Sequence, residues 1–329
     1  MKTKRPLIFL SLGAALIVLI LLSMRFGSVF IDGKSFLSAL LRREGFAAQS
    51  AIIYTLRLPR TCAGILAGAG LGLSGVLLQS VTDNKMASPG LIGVNSGAGF
   101  AVILALSLPF FPIGLIPIAA FGGAFLATLA IIAIAGRMGM TKNTVVLSGI
   151  AFSAILSAGI SLMSLLDSDV LVSYNSFSVG SLAGAEIKNL ILPAILVFSA
   201  VIVSSIFASK LNILTLGAPI ASSLGVNVKL MRIFSMLLAS VLAGAAVSAV
   251  GLLGFVGLMS PHIARALVGP DARRLIPCTA LVGADLVLLA DLCGRVLTAP
   301  GELPVGVLMA LLGAPFFLFI LLKGGSRDA

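Results

Sequence analysis

Residues 56–80 read LRLPRTCAGILAGAGLGLSGVLLQS. A helix needs about 20 apolar residues to cross a bilayer, and the run from Thr61 to Ser80 supplies them. Gly64, Gly68 and Gly72 recur every four residues, so they share one helix face. In lipid, small residues at that spacing let two backbones approach closely, and the stripe reads as a packing surface. Arg57 and Arg60 stand at the margin of this run with Pro59 between them, a residue tolerated in a helix's first turn.

Working outward, ten apolar runs of this kind occupy 7–24, 61–80, 91–108, 113–135, 144–166, 189–208, 232–250, 251–269, 275–291 and 303–322. Pro109, Pro112, Gly114 and Pro117 split the third from the fourth. Gly251, Gly254, Gly257 and Ser260-Pro261 split the seventh from the eighth. The first run follows Lys2, Lys4 and Arg5, but Met24-Arg25-Phe26 follows it in place of a small-residue cleavage site, so an uncleaved first span is expected.

The whole composition agrees. Hydrophobic residues make up 59% of the 329-residue chain and charged residues 10%; soluble domains carry about 25% charged residues. A soluble globular protein and a disordered chain are both excluded, and runs of helical length exclude an outer-membrane barrel. The expectation is an all-α integral membrane protein of about ten transmembrane helices, a single membrane domain over 1–329.

The net charge of +11 sits in short loops, where it speaks of topology and not of nucleic acid. With the N-terminus inside, fourteen of the 22 basic residues fall inside: Lys2, Lys4, Arg5, Lys85, Arg137, Lys142, Lys210, Lys229, Arg232, Arg265, Arg273, Arg274, Lys323 and Arg327. Eight fall outside, among them Arg57, Arg60 and Arg295. Both termini are expected in the cytoplasm. Ser88-Pro89 and Ser260-Pro261 each follow a glycine-rich helix, and Ser-Pro suits a helix start. On this topology they begin helices on opposite sides, the pattern of an inverted repeat; chance repetition of a dipeptide stands beside that reading.

Little in the chain can carry bond chemistry. There is no Gly-x-x-x-x-Gly-Lys-Ser/Thr loop. Cys62, Cys278, Cys293 and the lone His262 have no metal-ligand spacing, so no metal site is expected. Of membrane carboxylates, Asp285 is expected to hydrogen-bond or to pair with a neighbouring helix, and Asp291 to pair with Arg295 four residues on. So few carboxylates disfavour a secondary carrier, and the lack of a catalytic cluster disfavours an enzyme.

Two polar features remain. Thr144, Ser148, Ser153, Ser157, Ser161 and Ser164 recur every three to five residues on the fifth span, either as a path wall or as helix–helix hydrogen bonding. Residues 211–229 read LNILTLGAPIASSLGVNVK. A short helix from Ala218 to Leu224, with Pro219 in its first turn, exposes Ile220, Leu224 and Val226 either as a docking element or as a membrane-surface loop.

These residues also carry a family resemblance. Leu56-Arg57-Leu58-Pro59-Arg60 is followed by a glycine-rich helix ending Leu73-Ser74-Gly75-Val76-Leu77-Leu78-Gln79. Asn84 to Pro89 is followed by Leu91-Ile92-Gly93-Val94-Asn95-Ser96-Gly97-Ala98. Leu216-Gly217 leads to Ser223-Leu224-Gly225-Val226. Gly254-Phe255-Val256-Gly257-Leu258 leads through Ser260-Pro261-His262-Ile263-Ala264-Arg265 to Ala290-Asp291, Arg295 and Glu302-Leu303-Pro304-Val305-Gly306. In this order, over residues 56 to 322, they resemble the permease subunit of the ATP-binding-cassette importers for ferric siderophores, haem and vitamin B12.

The resemblance implies a vitamin B12-importer-like permease fold of ten helices in the cytoplasmic (inner) membrane. It implies a second permease subunit, identical or a paralogue, two cytoplasmic ATPases and a periplasmic or lipid-anchored substrate-binding protein. No cofactor is expected in this chain and no enzyme activity; ATP and Mg belong to the partner ATPase. Arg57, Arg60 and Arg295 match the residues that meet acidic groups of the binding protein. Gly217, Ala218, Ile220, Leu224 and Gly225 match the coupling segment that docks on the ATPase. Thr141 and Lys142 fall at the inner gate loop, and Ser148, Ser153, Ser157 and Ser161 are the expected path-lining residues. A ferric siderophore is the expected cargo, with haem or cobalamin as alternatives, and a manganese or zinc permease as the rival importer class. The chain departs from the family pattern at Asn84-Lys85-Met86-Ala87, where Asn-Pro-Leu-Ala is usual, and at Ala218-Pro219, where an acidic residue is common.

Overall fold

Ten apolar runs become ten long or medium helices joined by five short ones. A computed structural model describes residues 5–27, 29–90 and 92–325. Lys2, Lys4, Leu91 and Arg327 of the sequence reading lie outside the described residues. In chain order the helices are α1 (Arg5–Arg25), α2 (Gly33–Leu40), α3 (Ala47–Ala51), α4 (Leu58–Thr82), α5 (Val94–Leu106), α6 (Ile116–Arg137), α7 (Lys142–Leu166), α8 (Ser168–Val179), α9 (Ile187–Ile206), α10 (Ala208–Leu214), α11 (Ala218–Ser223), α12 (Val228–Val250), α13 (Val256–Val268), α14 (Ala272–Leu297) and α15 (Val305–Gly325). Among the described residues there is no strand, and seven helices are long and apolar enough to span a bilayer. The remaining three expected spans fall on α5, α13 and α15.

The connections gather at two ends of the bundle, as ten alternating crossings require. At one end Gly27, Arg57, Ala183, Arg295 and Glu302 line a common cavity. At the other, Asp83, Lys85, Asn212, Arg265 and Pro270 do the same. These are called the α2 end and the α11 end.

Helix α4 is the central element. It continues from α3 through a π-helical segment, Ile52–Arg57, so that Ala47–Thr82 is one 36-residue helical run. The π turn directly precedes Pro59, whose ring and missing N–H disturb the hydrogen-bond ladder behind it. The glycine face of α4 does what its spacing predicts. A Cβ on Gly68 would lie 2.2 Å from the Gly283 carbonyl oxygen, and a Cβ on Gly283 would lie 2.2 Å from that of Gly68, so α4 and α14 touch backbone to backbone. A Cβ on Gly75 would lie 1.9 Å from the Gly257 oxygen. Pro261, inside α13, has no N–H to offer the carbonyl four residues behind it, which is that of Gly257. The freed carbonyl faces α4.

Both Ser-Pro helix starts are corrected. Helix α13 begins at Val256, because Gly251 (φ +75°) and Phe255 (φ +63°) already turn the chain out of α12. Ser260 is then mid-helix, its hydroxyl donating to the Val256 carbonyl (2.6 Å). Helix α5 begins at Val94, after Gly93 (φ +77°), with Ser88-Pro89 in the turn before it. The echo survives in another form: α4 and α12 are each followed by a break ending in a left-handed residue and then a 13-residue helix.

At the α2 end three segments are tied by backbone hydrogen bonds. Ser181 N donates to Val250 O (2.8 Å), Leu252 N to Phe177 O (3.1 Å) and Gly306 N to Gly180 O (3.2 Å). Gly180 and Gly306 make the approach possible, since a Cβ would lie 2.2 Å from the Leu252 oxygen and 1.8 Å from the Val179 oxygen respectively. The end of α8, the α12–α13 break and the start of α15 thus form one knot.

Candidate functional site

Helix α1 ends at Arg25 with carbonyls that no further turn can satisfy. The protein satisfies them with arginines from two other helices. Arg57 Nη1 donates to the carbonyls of Met24 (3.0 Å) and Arg25, and its Nη2 to that of Val29. Arg295 Nη1 donates to Phe26 O (2.9 Å) and Ser23 O (3.2 Å), and Nη2 to the Ser23 hydroxyl (2.8 Å). Guanidinium groups also complement the negative end of the α1 dipole. Gly27 leaves room for both, since a Cβ there would lie 3.2 Å from Arg295 Nη1 and 3.3 Å from Arg57 Nη2.

A buried carboxylate joins this pair to the third arginine. Asp291, 1% exposed, takes Arg60 Nη2 at 2.8 Å and Arg295 Nε at 3.0 Å. Arg60 reaches on to Glu302 (2.6 Å), which is 32% exposed. The Asp291–Arg295 pairing read from the sequence is present. Arg57 is 5% and Arg295 2% exposed, because their guanidinium groups are engaged by the end of α1 and by Asp291. All three still line a cavity of ≈ 270 Å³ together with Glu302. Nothing in the linear sequence marks Met24, Phe26 or Val29 as their partners, since the acceptors there are main-chain oxygens.

At the α11 end, α10 and α11 form a short helical hairpin. Gly217 (φ +99°) and Gly225 (φ +78°) take the left-handed turns that bound α11, and Pro219 sits in its first turn. Ile220 and Leu224 are half or more exposed, while Ala221 anchors the helix. Val226, expected on the exposed face, is corrected to buried, since it packs in the main apolar core. Asn212 of α10 fixes the hairpin to the bundle: its Nδ2 donates to Asp271 (2.8 Å) and its Oδ1 accepts from Ala272 N (2.7 Å). Thr141 caps α7, accepting from Thr144 N (3.2 Å), and Lys142 pairs with Asp83 at the end of α4. Arg232 holds the same loop through the Met140 carbonyl (2.6 Å).

The serine row on α7 does not form one wall. Five residues separate Ser148 from Ser153, a turn of about 140° beyond one full revolution. Ser148 is accordingly buried, and Ser153 points toward Gly93. Ser157 and Ser161 are exposed. Asp285, expected to find a partner, has both carboxylate oxygens buried with no hydrogen bond among the described residues. Those residues contain no group of three potential metal ligands.

Comparison with known proteins adds four findings. The chain is 37% identical over 325 residues to the Fe(3+)-citrate import system permease protein YfmE of Bacillus subtilis, covering 97% of this chain and 96% of that one. It is 39% identical to the ferric enterobactin transport system permease protein FepD of Escherichia coli, covering 91% and 92%. The fold superposes on a metal-chelate type ABC transporter solved in an inward-facing conformation with a TM-score of 0.87 at 29% identity, covering 97% and 99%. Residues 15–323 match the FecCD transport family, and with relatives at 37% and 39% identity aligned over nearly the whole chain the chain belongs to this family of ATP-binding-cassette importer permeases.

Proposed function

We propose that this chain is the permease of an ATP-driven importer that carries a ferric siderophore across the cytoplasmic membrane. The supporting observation is near full-length similarity, at 37% and 39% identity, to two ferric-chelate permeases, together with the exposed α10–α11 hairpin. Two permease subunits enclose the path, two cytoplasmic ATPases bind ATP and Mg, and this chain does no bond chemistry. Both termini lie in the cytoplasm, so the α11 end is inner and the α2 end outer, where the external binding protein arrives.

On this reading the exposed apolar face of α11, with Ile220 and Leu224, seats on the ATPase. ATP-driven closure of the ATPase pair pulls on α11, and Asn212 transmits the pull to the start of α14. Thr141 and Lys142 belong to the inner gate loop, held closed against α4 by the pair with Asp83. Ser157 and Ser161 face the path. Acidic side chains of the binding protein reach into the arginine-lined cavity at the α2 end. Such complementarity acts mainly on association rate and specificity, so docking slows as salt rises.

Uptake of iron-labelled ferric siderophores, haem and labelled cobalamin into cells lacking the gene tests the cargo. Ferric siderophore uptake is lost and is restored by this chain. Restoration of haem or cobalamin uptake alone rejects the siderophore assignment.

A further inference from the structure

A second cavity, ≈ 320 Å³, lies at the α11 end between the ends of α4 and α13 and the wall of α10. Gln79, Asp83, Asn84, Lys85, Asn212 and Arg265 line it. Arg265 Nη2 donates to Gln79 Oε1 (2.9 Å), whereas Nη1 is buried and has no partner among the described residues. Lys85 is exposed to the cavity and makes no hydrogen bond or ion pair among them. The two nearby carboxylates are occupied: Asp83 by Lys142, and Asp271 by Asn212 (2.8 Å) and the Arg273 N–H (3.1 Å). The cavity therefore presents two unanswered cations and three side-chain amides, and the carboxylates beside them among the described residues are already engaged.

We propose that this cavity binds a phosphate group, supplied by an anionic lipid headgroup or by free phosphate. A buried N–H without an acceptor costs the full desolvation of that group, and a phosphate oxygen removes the cost. The guanidinium matches two phosphate oxygens at once, and the ammonium adds a point charge. Basic pockets between helix ends are known to take lipid headgroups. Because Leu211, Asn212 and Thr215 of α10 form one wall, a bound phosphate ties the α10–α11 hairpin to α4 and α13. The assignment stands on this cavity alone and does not depend on what α11 docks against.

The full-length protein in detergent, stripped of phospholipid, tests it in two arms. Inorganic phosphate is titrated while the thermal midpoint is followed, against chloride at matched ionic strength. Phosphatidylglycerol is added at a stoichiometric level and its retention is read by native mass spectrometry. At least one probe binds wild type, and Lys85→Leu weakens that binding about tenfold, the loss expected for one charge-assisted contact. Lys85 is exposed, so this variant folds; Arg265→Gln serves as the second variant and weakens binding further. Binding of inorganic phosphate alone names the free ion, and retention of the lipid alone names the headgroup. The proposal is overturned if wild type responds to neither probe, or if Lys85→Leu binds both as wild type does.

Discussion

Asp291 holds two guanidinium groups at 1% exposure, and its contribution is set by what it would leave behind. Removing one partner of a buried ion pair costs about 3–5 kcal/mol, because the other charge stays desolvated. Asp291→Asn is therefore expected to lower the detergent unfolding midpoint sharply. Glu302→Gln, which alters a partly exposed pair, should cost about 0–1 kcal/mol. Equal midpoints for the two variants would contradict the buried-pair account. The glycine contacts make a second prediction at this scale. Gly75→Ala drives a methyl into the Gly257 carbonyl, an overpacking cost of about 1–3 kcal/mol or more. Gly122→Ala meets nothing within 4 Å and should be neutral in the same assay. Residues of this kind were legible from the sequence to different degrees. The stripe Gly64, Gly68, Gly72 announces a close contact through its spacing alone. The destiny of Arg57 does not, since a carbonyl acceptor carries no residue identity.

Among the elements, α11 shows how a six-residue helix acquires a sequence signature. Its two bounding glycines must adopt positive φ, and its proline is pre-set for a first turn, so its place was readable to within a residue. Leu224 is 58% exposed, so Leu224→Asp leaves the fold alone. If α11 docks on the ATPase, the same change buries an unpaired charge in the contact. The mutant is expected to insert normally and to lose co-purification with the ATPase; wild-type yield of the complex would count against docking. The Ser-Pro pairs misled for an opposite reason. A Ser-Pro dipeptide favours a helix start only where the chain is free to begin there. At Ser260 the φ +63° of Phe255 had already begun α13, and membrane helices tolerate an internal proline because neighbours re-satisfy what it frees.

On the scale of the molecule, the segregation of connections into two ends was legible because hydropathy counts crossings and crossings alternate sides. The path was less so: a serine row is only a wall if its spacing keeps one face, and the step from Ser148 to Ser153 does not. Cysteine-substituted Ser157 and Ser161 are expected to react with a small aqueous thiol reagent in at least one state of the importer, while cysteine at Ser148 stays unreactive. Reaction at Ser148 with silence at the other two would invert the assignment of the α7 faces.

The knot at the α2 end turns α13 into a transmission rod. Because Leu252 N–H is bonded to Phe177 O and Gly306 N–H to Gly180 O, a displacement at the end of α8 is passed to the start of α13 and to α15. Thirteen residues of helix span about 20 Å, and the far end of this rod carries Arg265. If a binding protein lands at the α2 end as proposed, a push received there passes along α13 toward the α10–α11 hairpin, with Gly75 against Gly257 holding its first turn to α4.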